Sequence, residues 1–237
     1  MSRPFAVFDI DGTVIRWQLY HSIVQELAHR GHLGGNAIQT INDARMIWKQ
    51  RSHNESFKTY EEVLVNIYND AVQDILVKDY LSAVDRVFQT YKDQVYVYTR
   101  DLIRELKDKG YLLFAISGSQ MEIVQKLANY YGFDEAIGGK YEQKDGRFTG
   151  NITSVIGNKS DLLMELMGKH DVAKQGSIAV GDSEGDIGML EMVEQPIAFN
   201  PSAKLFETAK LRQWKIVVER KNTIYQLEAR DGSYLLV

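Results

Sequence analysis

Two aspartates, Asp9 and Asp11, stand two residues apart in the string FDIDGT near the start of the chain. If the apolar run before them is extended, their side chains leave the same side of the backbone, and Gly12 permits a sharp turn directly afterwards. Two carboxylates would then face one cleft. Like charges held so close call for a cation or a proton, so the pair implies a metal, or two carboxyls of different pKa, one fit to attack and one to act as an acid. The same string also suits an ordinary turn after a strand, where Asp and Gly are common.

Three later segments bear on the choice. Ser117 and Gly118 follow an apolar run and open the next helical pattern, where free backbone N–H groups and the helix dipole favour a phosphate oxygen; taken alone, Ser117 reads more readily as a helix cap. Lys159 falls at the start of another helical pattern, the end at which the dipole disfavours a positive charge, so it asks for an anionic neighbour. The string GDSEGD supplies Asp182 at a strand end and Asp186 a helical turn later, a donor set that suits magnesium.

The elements that must position these groups can be read from periodicity. Phe5 to Phe8, Tyr111 to Ile116, Ile178 to Val180, Ile197 to Phe199 and Lys215 to Val218 are short strand-like runs. Helical patterns lie between them at 99–109, 121–131, 159–168 and around Met189 to Val193, with Gly110 placed as a C-terminal cap. Strands alternating with helices imply a parallel sheet, and ligands bind such sheets at the carboxyl ends of their strands; each of the four segments falls at such a strand end or at a helix start. Asp145-Gly146 predicts a β-hairpin over 138–153, and Asp231-Gly232 a second one in the tail. From about Gln18 to Thr90 the spacing is helical throughout, as in Leu19, Ile23 and Leu27, which marks an inserted helical module. The predicted division is residues 1–15 and 96–237 for an α/β, Rossmann-like core, and 16–95 for the helical insertion, joined by short hinge crossings near 14–17 and 91–98.

Together, FDIDGT, ISGS, Lys159 and GDSEGD resemble the four motifs of the haloacid dehalogenase superfamily of phosphotransferases. GDSEGDIGML followed by AFNP is most similar to its phosphoserine-phosphatase-like branch, over roughly residues 5 to 201. The resemblance implies that Asp9 is the nucleophile and a metal ligand, and that Asp11 is the general acid and base and lends its backbone carbonyl to the metal. It further implies that Ser117, Gly118 and Lys159 hold phosphate, that Asp182 ligates Mg2+ with Asp186 supporting the metal shell, and that the helical insertion is a cap. The implied activity is magnesium-dependent hydrolysis of a small phosphorylated molecule through an aspartyl-phosphate. A transferase or mutase would use the same Asp9, and a noncatalytic regulatory protein could keep the same fold.

Composition narrows the partners. A chain of 237 residues with 44% hydrophobic and 25% charged residues and a net charge of -4 is that of a globular protein without an extended nucleic-acid surface. The longest apolar runs, such as Leu112 to Ile116, fall far short of the roughly 18 residues of a spanning helix, so no membrane anchor is expected. The lack of cysteine excludes disulfides, thiolate catalysis and cysteine zinc sites, and is compatible with the expected cytoplasmic location. Substrate choice is expected from the insertion and its entrance, where Arg16, Trp17, Gln18, Tyr20, Arg45, Trp48 and Arg51 offer charge, stacking surface and hydrogen bonds. Gln18 stands near the place where phosphoserine phosphatases carry an acidic residue that recognises the substrate amine.

Overall fold

A computed structural model describes residues 3–53, 55–230 and 232–237. In chain order the elements are β1 (Phe5–Phe8), α1 (Leu19–His29), α2 (Ala37–Lys49), α3 (Ser56–Ala71), α4 (Val77–Tyr91), α5 (Val97–Asp108), β2 (Leu112–Gln120), α6 (Met121–Tyr131), β3 (Glu135–Lys144), β4 (Arg147–Thr153), α7 (Lys159–Lys169), β5 (Ile178–Gly181), α8 (Ile187–Glu191), β6 (Gln195–Phe199), α9 (Ala203–Arg212), β7 (Lys215–Arg220), β8 (Thr223–Arg230) and β9 (Ser233–Leu236). They divide into two units, one of residues 1–17, 91–139 and 154–237, the other of 18–90 and 140–153.

The first unit is built on a sheet ordered β3-β2-β1-β5-β6-β7-β8-β9, parallel from β3 to β7 and antiparallel beyond. Phe5 and Val7 enter a core cluster with Phe114, Leu163, Leu190 and Leu205, which brings α7, α8 and α9 against one face. Ala6 and Phe8 point the other way and are also fully buried, so β1 is covered on both sides. That is why it reads as an unbroken apolar run rather than an alternating one. Phe8 lies opposite Ala115 of β2 and Val180 of β5, so the segments after these three strands emerge at one edge.

Two departures from the sequence-based expectation have local causes. A helix, α9, stands before β7 where none was predicted: of its ten residues only Leu205 and Ala209 are buried, too few to show a period. β2 runs on to Gln120 instead of ending at Ile116, because its register against β3 shifts between those two residues. Such a bulge frees residues from the ladder and re-aims them.

The crossings into and out of the helical insertion pair with each other. Arg16 N donates to Gln94 O (2.8 Å) and Tyr96 N to Val14 O (3.1 Å), with Ile15 bridged to Val95. The buried Glu219 of β7 accepts from Val97 N (3.1 Å) and Tyr98 N (2.9 Å), which anchors the first turn of α5 to the sheet. A carboxylate at a helix N-terminus is favoured by the dipole as well as by the free N–H groups.

The second unit contains α1 to α3 and most of α4. Tyr60, Leu64, Tyr68 and Tyr80 are fully buried. Residues 140–153, the outer half of β3 with all of β4, were expected with the sheet but group here by their contacts: Tyr141 meets Tyr68 edge-on with ring centroids 5.2 Å apart, and Phe148 meets Tyr80 at 5.1 Å. The β3–β4 turn has the positive φ at both Asp145 (50°) and Gly146 (78°) that a two-residue hairpin loop needs. The tail hairpin is present as β8–β9, with Gly232 at φ 78°; Asp231, the other half of the predicted turn, lies outside the described residues. Among the described residues no helix is long and apolar enough to cross a membrane.

Candidate active site

The loop after β1 is folded tightly by Ile10, whose carbonyl accepts from Val14 N (2.9 Å) and Ile15 N (2.9 Å). Gly12 makes this possible in two ways. Its φ of +81° is a left-handed conformation, and a Cβ there would run into the Asp182 carboxylate. The close approach of the β1 and β5 loops therefore depends on a missing side chain.

Lys159, buried at the first residue of α7, places its Nζ 2.6 Å from Asp9 Oδ1 and 2.7 Å from Asp186 Oδ1. This is the anionic neighbourhood its position in the sequence asked for. Asp186 is fully buried, and its Oδ2 accepts from Asp182 N (3.1 Å), Ser183 N (2.9 Å) and Ser183 Oγ (3.0 Å). Ser183 and Asp186 thus form a capping box over the short 3₁₀ turn at 184–186. Ser183 was not among the residues expected at the site, although a Ser three residues before an acid is a legible capping signal. Gly181 is tied to the same arrangement, since a Cβ there would come 2.5 Å from Asp186 Cβ.

On the other side, Ser117 Oγ donates to Asp11 Oδ2 (2.7 Å) and accepts from Ser119 N (3.0 Å). Ser117 and Ser119 are buried, and Gly118 between them is exposed, in the stretch where β2 leaves its ladder with β3. All seven residues expected at the site lie in the sheet unit. Asp9, Lys159, Asp186 and Asp182 form one cluster, while Asp11 faces Ser117 beside Gly118.

Carboxylate oxygens of Asp9, Asp182 and Asp186 lie within 4.8 Å of one another. Asp9 Oδ2 is buried without a hydrogen-bond partner among the described residues, so one oxygen of that carboxylate is uncommitted. Burial raises the Asp9 carboxyl from the ordinary 3.8 to about 7; Lys159 opposes the shift, while Asp186 and Asp11 add to it. Burial, then the charges of Asp9 and Asp186, hold Asp182 well above its ordinary value. Burial works against the Lys159 ammonium, but the charges of Asp186 and Asp9 outweigh it and keep this lysine firmly protonated. One ammonium cannot neutralise three clustered carboxyls, which must keep protons or gain a cation. An uncommitted oxygen and an all-oxygen donor set fit a hard divalent ion.

Of the residues expected to choose the substrate, Arg16 lies in the sheet unit. Its guanidinium is 3.8 Å from Glu219 and 5.0 Å from the centre of the Tyr96 ring. Trp48 and Tyr20 are packed inside the helical unit, Trp48 stacked on Tyr60 at 5.4 Å and Tyr20 edge-on to Tyr68 at 5.8 Å.

This chain belongs to the haloacid dehalogenase-like hydrolase family, which matches it over residues 6–191. It is similar to a phosphoserine phosphatase of Archaeoglobus fulgidus, 26% identical over 210 residues. That match takes in 87% of this chain and 55% of the relative, so the chain spans about half of that protein's length. A histidinol-phosphatase of Neisseria meningitidis serogroup C is 24% identical over 237 residues, covering 91% of this chain and 98% of the relative. The fold is shared with a Bordetella pertussis protein of unknown function, with a TM-score of 0.72 and 22% identity over 91% of this chain and 98% of that one.

Proposed function

We propose that this chain is a magnesium-dependent phosphatase that transfers the phosphoryl group of a small phosphomonoester to Asp9 and then to water. The observation that carries the reading is the buried cluster of Asp9, Asp182 and Asp186, in which Lys159 holds Asp9 Oδ1 and leaves Oδ2 uncommitted, with the Asp11–Ser117 pair supplied by the same loop and β2. Both curated relatives named above are phosphatases, which supports the same reaction class here.

Asp9, Asp182 and the Asp11 backbone carbonyl would hold Mg2+, with Asp186 supporting them by fixing the 182–186 loop. When bound, the ion supplies positive charge against the phosphoryl oxygens. Lys159 adds a second positive charge, and Ser117 with the backbone of Gly118 binds a further phosphoryl oxygen. Asp9 forms the new oxygen–phosphorus bond as the ester oxygen leaves, and Asp11 gives that oxygen its proton. Asp11, now a carboxylate, takes a proton from the water that attacks the aspartyl-phosphate, releasing phosphate and restoring Asp9. The helical unit, inserted between Trp17 and Tyr91, serves in this reading as the cap that supplies contacts to the rest of the substrate.

The test is phosphate release from a panel of phosphomonoesters of amino alcohols, sugars, nucleosides and lipid headgroups, with Mg2+ and with a chelator. Release that requires Mg2+ is expected, and the panel member turned over best names the substrate class. Failure to release phosphate from every member would favour a regulatory role and defeat the reading.

A further inference from the structure

Gln120 ends β2 three residues after Ser117 and is 1% exposed, yet neither its amide nitrogen nor its amide oxygen has a hydrogen-bond partner among the described residues. Buried amides are nearly always paired, because removing them from water unpaired is costly. A leucine or methionine would occupy similar volume without that penalty. An unpaired buried group kept at such a cost is expected where a ligand completes it.

Its place in the chain indicates which ligand. Three residues of extended backbone span at most roughly 11 Å, so Gln120 lies within a small molecule's length of Ser117. It stands at the end of the same bulged stretch that carries Ser117 and Gly118. A phosphoryl group would complete only half of it: the amide nitrogen could donate to a phosphate oxygen, but the amide oxygen would find no donor there. A neutral carboxamide suits a group that can both donate and accept, or one that donates strongly to its oxygen.

Resting on the phosphatase reading, we infer that Gln120 is a specificity residue that binds the leaving group of the ester, selecting one with an amino or hydroxyl substituent close to the ester oxygen. The amide then gains its missing partner only in the complex, and an alkyl leaving group leaves it unpaired. Discrimination of this kind, built on a buried polar group left without a partner, is stronger than an apolar pocket achieves.

The experiment compares the wild type with Gln120→Leu on 2-aminoethyl phosphate, 2-hydroxyethyl phosphate and ethyl phosphate, with phenyl phosphate as a general reporter, and measures thermal unfolding of both proteins. The wild type is expected to prefer at least one polar ester over ethyl phosphate by about tenfold or more in kcat/KM, and the variant to lose that preference while keeping its rate on ethyl and phenyl phosphate. The variant's Tm is expected to rise by about 2–4 °C, since an unpaired buried amide has been replaced by an apolar group of similar size. A fall in Tm would show that Gln120 makes structural hydrogen bonds, and overturns the inference. So does an equal loss of rate on all esters, or a wild type that hydrolyses phenyl phosphate without preferring the polar esters. If the wild type hydrolyses none of the four but releases phosphate from another ester of the wider panel, the inference about Gln120 falls and the phosphatase reading stands; if it releases phosphate from no ester at all, the phosphatase reading fails and the role of Gln120 with it.

Discussion

Lys159 Nζ stands 2.7 Å from Asp186 Oδ1, and through the same ammonium Asp186 is joined to Asp9, 177 positions earlier in the chain. The pair is almost wholly removed from solvent, with side-chain exposures of 9% and 0%. Removing one partner of such a pair is far more damaging than never having had it.

Lys159→Met is therefore expected to destabilise the protein by about 3–5 kcal/mol at neutral pH, because two buried carboxylates lose the ammonium they share. Urea unfolding measures the change. The loss should shrink at pH 5, where the carboxyls can take protons instead; a loss below about 1 kcal/mol at neutral pH would mean that the ion pair is not a structural element.

Asp9→Asn should abolish phosphate release while leaving the fold intact, since the amide is close in size but a poor nucleophile. Circular dichroism and thermal unfolding check the fold, and phosphate release checks the chemistry. Near-normal turnover in this variant would remove Asp9 from the mechanism.

The carboxyl cluster makes stability depend on pH and metal in a definite direction. Asp9 titrates near 3.8 when unfolded and near 7 in the metal-free fold. The fold gains from holding that proton near pH 4 and loses the gain as pH rises through about 7; the raised Asp182 acts in the same sense. In chelator, the wild type should lose more stability between pH 5 and pH 8 than Asp9→Asn does. Mg2+ should raise Tm more at pH 8 than at pH 5, because it competes with protons for the same oxygens. Equal Mg2+ effects at the two pH values would contradict the cluster as the metal site.

Gly12 and Gly31 share a φ of +81°, but only at Gly12 would a Cβ meet another residue, the Asp182 carboxylate. Gly31→Ala is expected to carry only the backbone strain, about 1 kcal/mol, and to keep full activity. Gly12→Ala should destabilise more and lower kcat/KM at least about a hundredfold, since Asp182 must move. Similar activity in the two variants would show that the Gly12–Asp182 approach is unimportant for catalysis.

Much of the fold is legible in the amino-acid sequence. β1, α6, α7 and both hairpins follow from apolar runs, helical spacing and Asp-Gly dipeptides, because burial on a sheet face and φ > 0 at a tight turn are demands that few residue types meet. Other parts are not. α9 buries too little to leave a period, and the Tyr68–Tyr141 and Tyr80–Phe148 contacts that group residues 140–153 with the helices join residues about 70 positions apart.

The site divides in the same way. The sequence alone determined which residues could do the chemistry, since carboxylates, a lysine and a serine at strand ends and helix starts are recognisable by type and local spacing. Only the tertiary structure decided how they are shared out: Lys159 on both Asp9 and Asp186, Ser117 on Asp11, Asp182 against Gly12, and Gln120 buried with no partner among the described residues. The reason is physical. Hydrogen-bond partnership and burial depend on distances between strands far apart in the chain, and those are set by sheet register and packing, which no local spacing encodes.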